Sequence, residues 1–186
     1  MTKISNVSTV SVEIPYEHGG PKAGWGGQSW NKLSILLVKV ETQDGFTGWG
    51  EGFSYNCRPA VKAAVERMIA PVVIGRDAGD IIGISRDMQQ KLHLFGRYGI
   101  TIFALSALDI ALWDLAGKRA GLPLHRLMGG AARTHVPGYA SLLKYGEPDL
   151  VGQNVAKARS DGYNAIKIHE TTVSAVAASR EAAGDG

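Results

Sequence analysis

From residue 136 to residue 184 the chain alternates two patterns. "VPGYASL" (136–142) and "NAIKIHE" (164–170) read as strands. "PDLVGQNVAKARSDG" (148–162) reads as a helix with Leu150, Val151, Val155 and Ala158 inward, and "TTVSAVAASREAAG" (171–184) as a helix capped by Thr171 or Thr172 and closed by Gly184. Strand, helix, strand, helix is the signature of a parallel sheet or barrel, because parallel strands can be joined only through a crossover. A closed (β/α)8 barrel takes about eight such units and roughly 250 residues. Two parallel strands with one face open are not a stable domain, so this segment is expected to be the start of a barrel, incomplete as written.

The second strand carries two ionisable groups where a core strand should have none. Ala165, Lys167 and His169 fall on one side of it, Ile166 and Ile168 on the other. In a barrel the first set lines the interior and the second packs on helices, and active sites lie at the C-terminal ends of strands. A buried lysine is costly unless paired. Lys167 and His169 are therefore candidate catalytic residues. The competing reading has Lys167 snorkelling outward and His169 as a plain loop residue.

Upstream the pattern is different. In "KISNVSTVSVEIPY" (3–16), Val10, Val12 and Ile14 alternate with Ser11 and Glu13, which predicts a half-buried strand. Residues 17–30, "EHGGPKAGWGGQSW", are a glycine-rich loop. It is either a lid in which Trp25 or Trp30 shields a site, or an ordinary surface loop. Ile35–Val40 and Phe46–Trp49 predict a hairpin around Asp44-Gly45. Three helices follow: one from Pro59 to just before Pro71, one capped by Asp80, and "TIFALSALDIALWDLAGKRAG". Thr101 is expected to start the third, and Lys118, Arg119 and Gly121 to end it. Its alanines at 104, 107 and 111 imply a close neighbour. The composition shifts near 129–135, which divides the chain into an α+β domain (1–130) and the beginning of a barrel (131–186).

Several function classes are disfavoured. The net charge is only +3, and the twenty Lys and Arg are scattered, so nucleic-acid binding is not expected. No apolar run follows Lys3 and no stretch approaches a membrane span, so the expectation is a cytoplasmic protein with no membrane partner. The single Cys57 excludes an intrachain disulfide, and with no evident base nearby it makes a poor nucleophile. "GWGEG" (48–52) lacks dinucleotide-fingerprint spacing and reads as the end of the hairpin. His18 is placed to reach a ligand from the loop, while His93, His125 and His135 read as surface or capping residues. Asp109 and Asp114 stand at i and i+5 on the long helix, which does not make a metal pair.

"ALSALDIALWDLAGKRAGLPLHRLMGG" (104–130) resembles the end of the capping domain of the enolase superfamily, in its mandelate racemase/muconate lactonizing enzyme branch. "TQDGFTGWGEG" resembles that domain's hairpin, residues 17–30 its mobile specificity loop, and "VPGYASL" and "AIKIHE" the first two barrel strands. The resemblance implies an α+β capping domain followed by the first two βα units of a (β/α)8 barrel. It implies a Mg²⁺-dependent enzyme that abstracts the proton α to a carboxylate, as an acid-sugar dehydratase or a racemase/epimerase, homo-oligomeric in its full-length form. Lys167 matches the first lysine of the family's Lys-x-Lys motif, beside the substrate carboxylate. His169 stands where the second lysine, the base, would be. Trp25 and Gly26 fall in the specificity loop, and Tyr139 and Ser141 near the exit of the first barrel strand, all as substrate contacts. The Mg²⁺ ligands are implied on the third to fifth barrel strands, beyond residue 186. The chain by itself is then expected to be inactive, and a non-catalytic truncated fragment or degenerate copy is the alternative.

Overall fold

The structure, a computed structural model, describes residues 2–20, 30–130 and 133–184. These form two compact units. One holds residues 2–14 and 33–130, the other residues 15–20, 30–32 and 133–184. The stretch after Ile14 thus groups with the second unit and not with its sequence neighbours in the first.

The first unit is built on β1 (Ile4–Pro15), β2 (Lys32–Thr42) and β3 (Thr47–Gly52), in that order across the sheet. β2 and β3 run antiparallel, with Val38 opposite Gly50. The turn between them forms as its Asp-Gly pair predicts: Thr42 N donates to Phe46 O, and Asp44 accepts from the Thr42 hydroxyl at 2.6 Å. One face of β2 (Leu36, Val38, Val40) is fully buried beneath the helices. The helices are α1 (Arg58–Ala63), α2 (Ala70–Val73), α3 (Ile81–Lys91), α4 (Ile100–Ala120) and the short α5 (Leu124–Leu127). Their apolar sides supply Val61, Val65, Ile69, Ile84, Met88, Leu108, Leu112 and Leu115 to the same core.

The alanine face of α4 has the close neighbour it implied. A Cβ placed on Gly48 would lie 2.0 Å from Ala111 O, and one on Gly50 would lie 2.1 Å from Ala107 O. The strand backbone therefore rests on the helix backbone, and "GWGEG" has glycine wherever the strand faces α4. Asp114 locks the contact by accepting from Trp49 N at 2.8 Å and from Lys118 Nζ at 2.6 Å. By length and composition alone α4 is apolar enough to cross a membrane, contrary to the expectation that no stretch would be. Here half of it is buried inside the unit, against β3 and the other helices.

Three local expectations need correction. The Val10–Val12–Ile14 face of β1 is not a buried face: Val10 is 40% and Ile14 45% exposed. The other side of the strand faces the helices, where the Thr9 hydroxyl bonds Glu66 at 2.5 Å and Glu13 pairs with Arg58 at 2.9 Å. Pro71 does not end the first helix. Residues Ala64–Ile69 widen into a π-helical turn, Ala70 N bonds Val65 O five residues back, and Pro71 enters as a first-turn residue of α2. There its missing N–H costs nothing, and the helical path continues. Thr101 does not cap α4. Gly99 takes that place, and the Thr101 hydroxyl donates to Phe95 O at 3.2 Å. Asp80 does cap α3, through Gly83 N at 3.1 Å, and Gly121 ends α4 in the left-handed region.

The second unit contains β4 (Ala140–Ser141) and β5 (Ile166–Lys167), paired in parallel, with α6 (Pro148–Ser160) between them and α7 (Val173–Ala183) after. Thr172 is the cap of α7, accepting from Ala175 N at 3.4 Å. Val151 and Val155 of α6 and Ala175 of α7 form a small core with Tyr145, and Ile166 and Ile168 pack on it. The strands are shorter than their apolar runs. At the ends of the ladder Ala140 N donates to Ala165 O at 3.0 Å and Leu142 N to Lys167 O at 2.9 Å. One parallel pair with its two helices is present among the described residues.

Candidate active site

The parallel pairing decides which side chains stand together. Ser141 is in register with Lys167, and Ala140 with Ile166. Registered neighbours in a parallel ladder point to the same face, so Ser141 and Lys167 share one side, with Tyr139 and His169 two residues away on each strand. All four are exposed, whereas Ala140, Ile166 and Ile168 on the opposite side are partly buried. Among the described residues Lys167 and His169 lie on the exposed side of β5, His169 just past its end.

His169 is held by its own backbone surroundings. Its Nδ1 lies 2.6 Å from Leu142 O, in the segment leaving β4. A carbonyl oxygen can only accept, so Nδ1 carries the proton and Nε2 of the neutral ring keeps its lone pair. Such an imidazole can take a proton without first changing tautomer.

The next residue, Glu170, was not singled out by the sequence reasoning. It points to the other side of the strand end, where its two carboxylate oxygens accept from Tyr145 N at 2.6 Å and Gly146 N at 3.1 Å. Alternation alone places it away from His169, but which backbone it meets depends on the turn after β4. Lys144 adds a bond from Nζ to the Thr171 hydroxyl at 3.1 Å. The side chains just after β5 thus hold residues 142–146 from both sides.

Tyr145 reaches in turn to residue 18. Its hydroxyl donates to His18 O at 2.7 Å, and its ring stacks on the His18 ring with centroids 6.4 Å apart. Burial pushes the Tyr145 phenol above its usual pKa, so the hydroxyl keeps the proton that it donates. His18 Nδ1 is buried without a hydrogen-bond partner. Trp25 and Gly26 lie outside the described residues. His93 and His135 make local exposed contacts, and His125 is exposed. Among the described residues no group of three or more His, Cys, Asp or Glu side chains is placed to hold a metal ion. A groove of about 370 Å³ between α3 and α4, lined by Arg86, Gln89, Arg97 and Leu105, contains none of the candidate site residues.

A profile of the mandelate racemase/muconate lactonizing enzyme N-terminal domain matches residues 25–129, more than half of the chain. The chain belongs to this family. Among curated members of the enolase superfamily, it is 37% identical over 108 residues to arabinonate dehydratase of Saccharolobus solfataricus, covering 58% of this chain and 29% of that one. It is 36% identical over 164 residues to D-galactarolactone cycloisomerase of Agrobacterium fabrum, covering 83% and 43%. The mandelate racemase/muconate lactonizing protein from Paracoccus denitrificans, solved with magnesium, superposes with a TM-score of 0.75 at 33% identity, over 90% of this chain and 42% of that one. The family member described here therefore spans less than half the length of each of these three relatives, and it shares their α+β capping-domain fold.

Proposed function

We propose that this chain is the N-terminal part of a Mg²⁺-dependent enzyme that removes the proton α to the carboxylate of an acid sugar, with His169 as the base. The observation that carries the reading is the Nδ1 bond from His169 to Leu142 O on the strand face that also presents Lys167. His169 Nε2 accepts the α-proton, and the C–H electron pair moves into the carboxylate to form an enediolate. The Lys167 ammonium stands beside that growing negative charge and stabilises it more than the ground state, which lowers the barrier. A β-hydroxide then leaves with a proton as water in a dehydratase, or a proton returns to the α-carbon in a racemase or epimerase. Tyr139 and Ser141, on the same face, are placed to bind substrate hydroxyls. The acid-sugar relatives support the substrate class, and the magnesium-bound neighbour supports the metal.

The test follows exchange of the substrate α-proton with deuterated solvent in the enzyme, across a panel of aldonic and aldaric acids. His169→Ala is expected to abolish exchange with the substrate that the unaltered enzyme accepts; unchanged exchange would remove His169 from the mechanism. Lys167→Met is expected to leave the fold intact and to lower kcat by about 10² or more, the scale of one lost charge-stabilising group. A second reading is that the 186-residue chain alone, which spans less than half the length of each of these relatives, is not catalytic. Calorimetric titration of this chain with Mg²⁺ is then expected to show no stoichiometric site.

A further inference from the structure

Two bonded groups in the second unit share one turn. On one side His169 and Glu170, just past β5, bond Leu142 O, Tyr145 N and Gly146 N. On the other side Tyr145 and Asn154 bond residues 18 and 19: the Tyr145 hydroxyl donates to His18 O, and Asn154 Nδ2 donates to Gly19 O at 2.9 Å and to Leu150 O at 2.9 Å. Asn154 lies on α6, so its second bond to its own helix fixes the amide in the orientation that meets Gly19. At the base of this segment Tyr16 N donates to Asn31 O at 3.0 Å.

The glycines show how tightly the parts fit. A Cβ on Gly20 would fall 2.4 Å from the Tyr145 ring, at a backbone conformation that any residue can adopt. A Cβ on Gly19 would fall 2.1 Å from Asn154 Oδ1, with φ at +75° besides. Gly19 is required by its left-handed backbone, since the Asn154 amide end could give way, and Gly20 by its contact with the Tyr145 ring.

We propose that Glu170, Tyr145 and Asn154 are the positioning residues of this site: together they tie residues 16–20 to the turn that also orients His169. Glu170 aligns the Tyr145 backbone from the strand side, and Tyr145 and Asn154 then hold the carbonyls of His18 and Gly19. The same turn sets the His169 tautomer through Leu142 O. A shift of residues 16–20 therefore reaches the imidazole through Tyr145 and residues 142–146. The relevance to catalysis rests on the reading of His169 as the base, whereas the contact itself does not.

Amide exchange followed by NMR on the 186-residue chain tests the arrangement without any substrate. Tyr145→Phe and Asn154→Ala are each expected to speed exchange of the Tyr16 amide by about tenfold, the effect of losing one hydrogen bond of roughly 1.4 kcal/mol. Both should leave the Leu36–Val40 amides of the first unit unchanged. Glu170→Gln keeps one acceptor, and it is expected to speed exchange at Tyr145 and Gly146 as well as at Tyr16. Gly20→Ala should reproduce the Tyr145→Phe effect on Tyr16 by displacing the ring. If Tyr145→Phe and Asn154→Ala leave Tyr16 exchange unaltered while the first unit stays protected, the proposal is overturned. Unchanged solvent deuterium incorporation by His169→Ala would instead count against His169 as base and leave this result standing.

Discussion

A single polar atom shows what residue-level reasoning reaches. Strand alternation by itself places Lys167 and His169 on one face, and the structure agrees. It does not say which imidazole nitrogen is free; that depends on Leu142 O, a backbone atom 27 positions away. Nitrogen-15 NMR of His169 in its neutral form is expected to show the Nδ1–H tautomer; an Nε2–H signal would contradict the geometry. Asp109 is a second case, half-buried on α4 with its carboxyl pushed above the usual range by burial. A raised carboxyl pKa means the folded state favours the protonated form. The associated stability is present below the ordinary carboxyl value and is lost as pH rises through the raised one. Asp109→Asn should therefore raise the unfolding midpoint at pH 7 and leave it nearly unchanged at pH 3.

Among the elements, β3 and α4 depend most on each other. Gly48 and Gly50 bring strand backbone against the carbonyls of Ala111 and Ala107, which no side chain can yield to. Gly50→Ala is expected to destabilise the first unit by about 3 kcal/mol, the upper end of overpacking costs, because the atom it meets is backbone. Trp49→Ala, between the two glycines but partly exposed, should cost less. Urea unfolding followed by circular dichroism measures both. The alanine stripe on α4 was legible as a demand for a close partner. That the partner is the glycine alternation of "GWGEG" was not, because a Gly-x-Gly-x-Gly strand and a turn look alike without the helix. The π-turn before Pro71 was equally hidden: proline predicts a break, and the helix met it by changing its bonding register.

For the whole molecule, carboxylates knit the first unit near its chain start. Asp77 is held below its usual pKa by Gly79 N and also accepts from Thr2 N at 3.2 Å. Asp44 is lowered by the Thr42 hydroxyl, and Glu66 by Lys62 and Thr9. A lowered carboxyl pKa contributes stability above the ordinary value that is lost as pH falls through the lowered one. The urea midpoint of this unit is expected to fall below about pH 4, at the ordinary carboxyl range, and a flat profile from pH 6 to pH 3 would show that these bonds contribute nothing. Residues 15–20 and 30–32 belong with the second unit, together with residues 133–184. No composition signal marks that, because it is made by the hydroxyl of Tyr145 and the amide of Asn154 meeting backbone from over a hundred positions earlier. By itself the sequence determined the elements, the parity of Lys167 and His169, and the family, since periodicity and local motifs are properties of neighbouring residues. Only the tertiary structure decided the imidazole tautomer, the role of Glu170 and the glycine contact with α4, since each depends on an atom that folding brings from far along the chain.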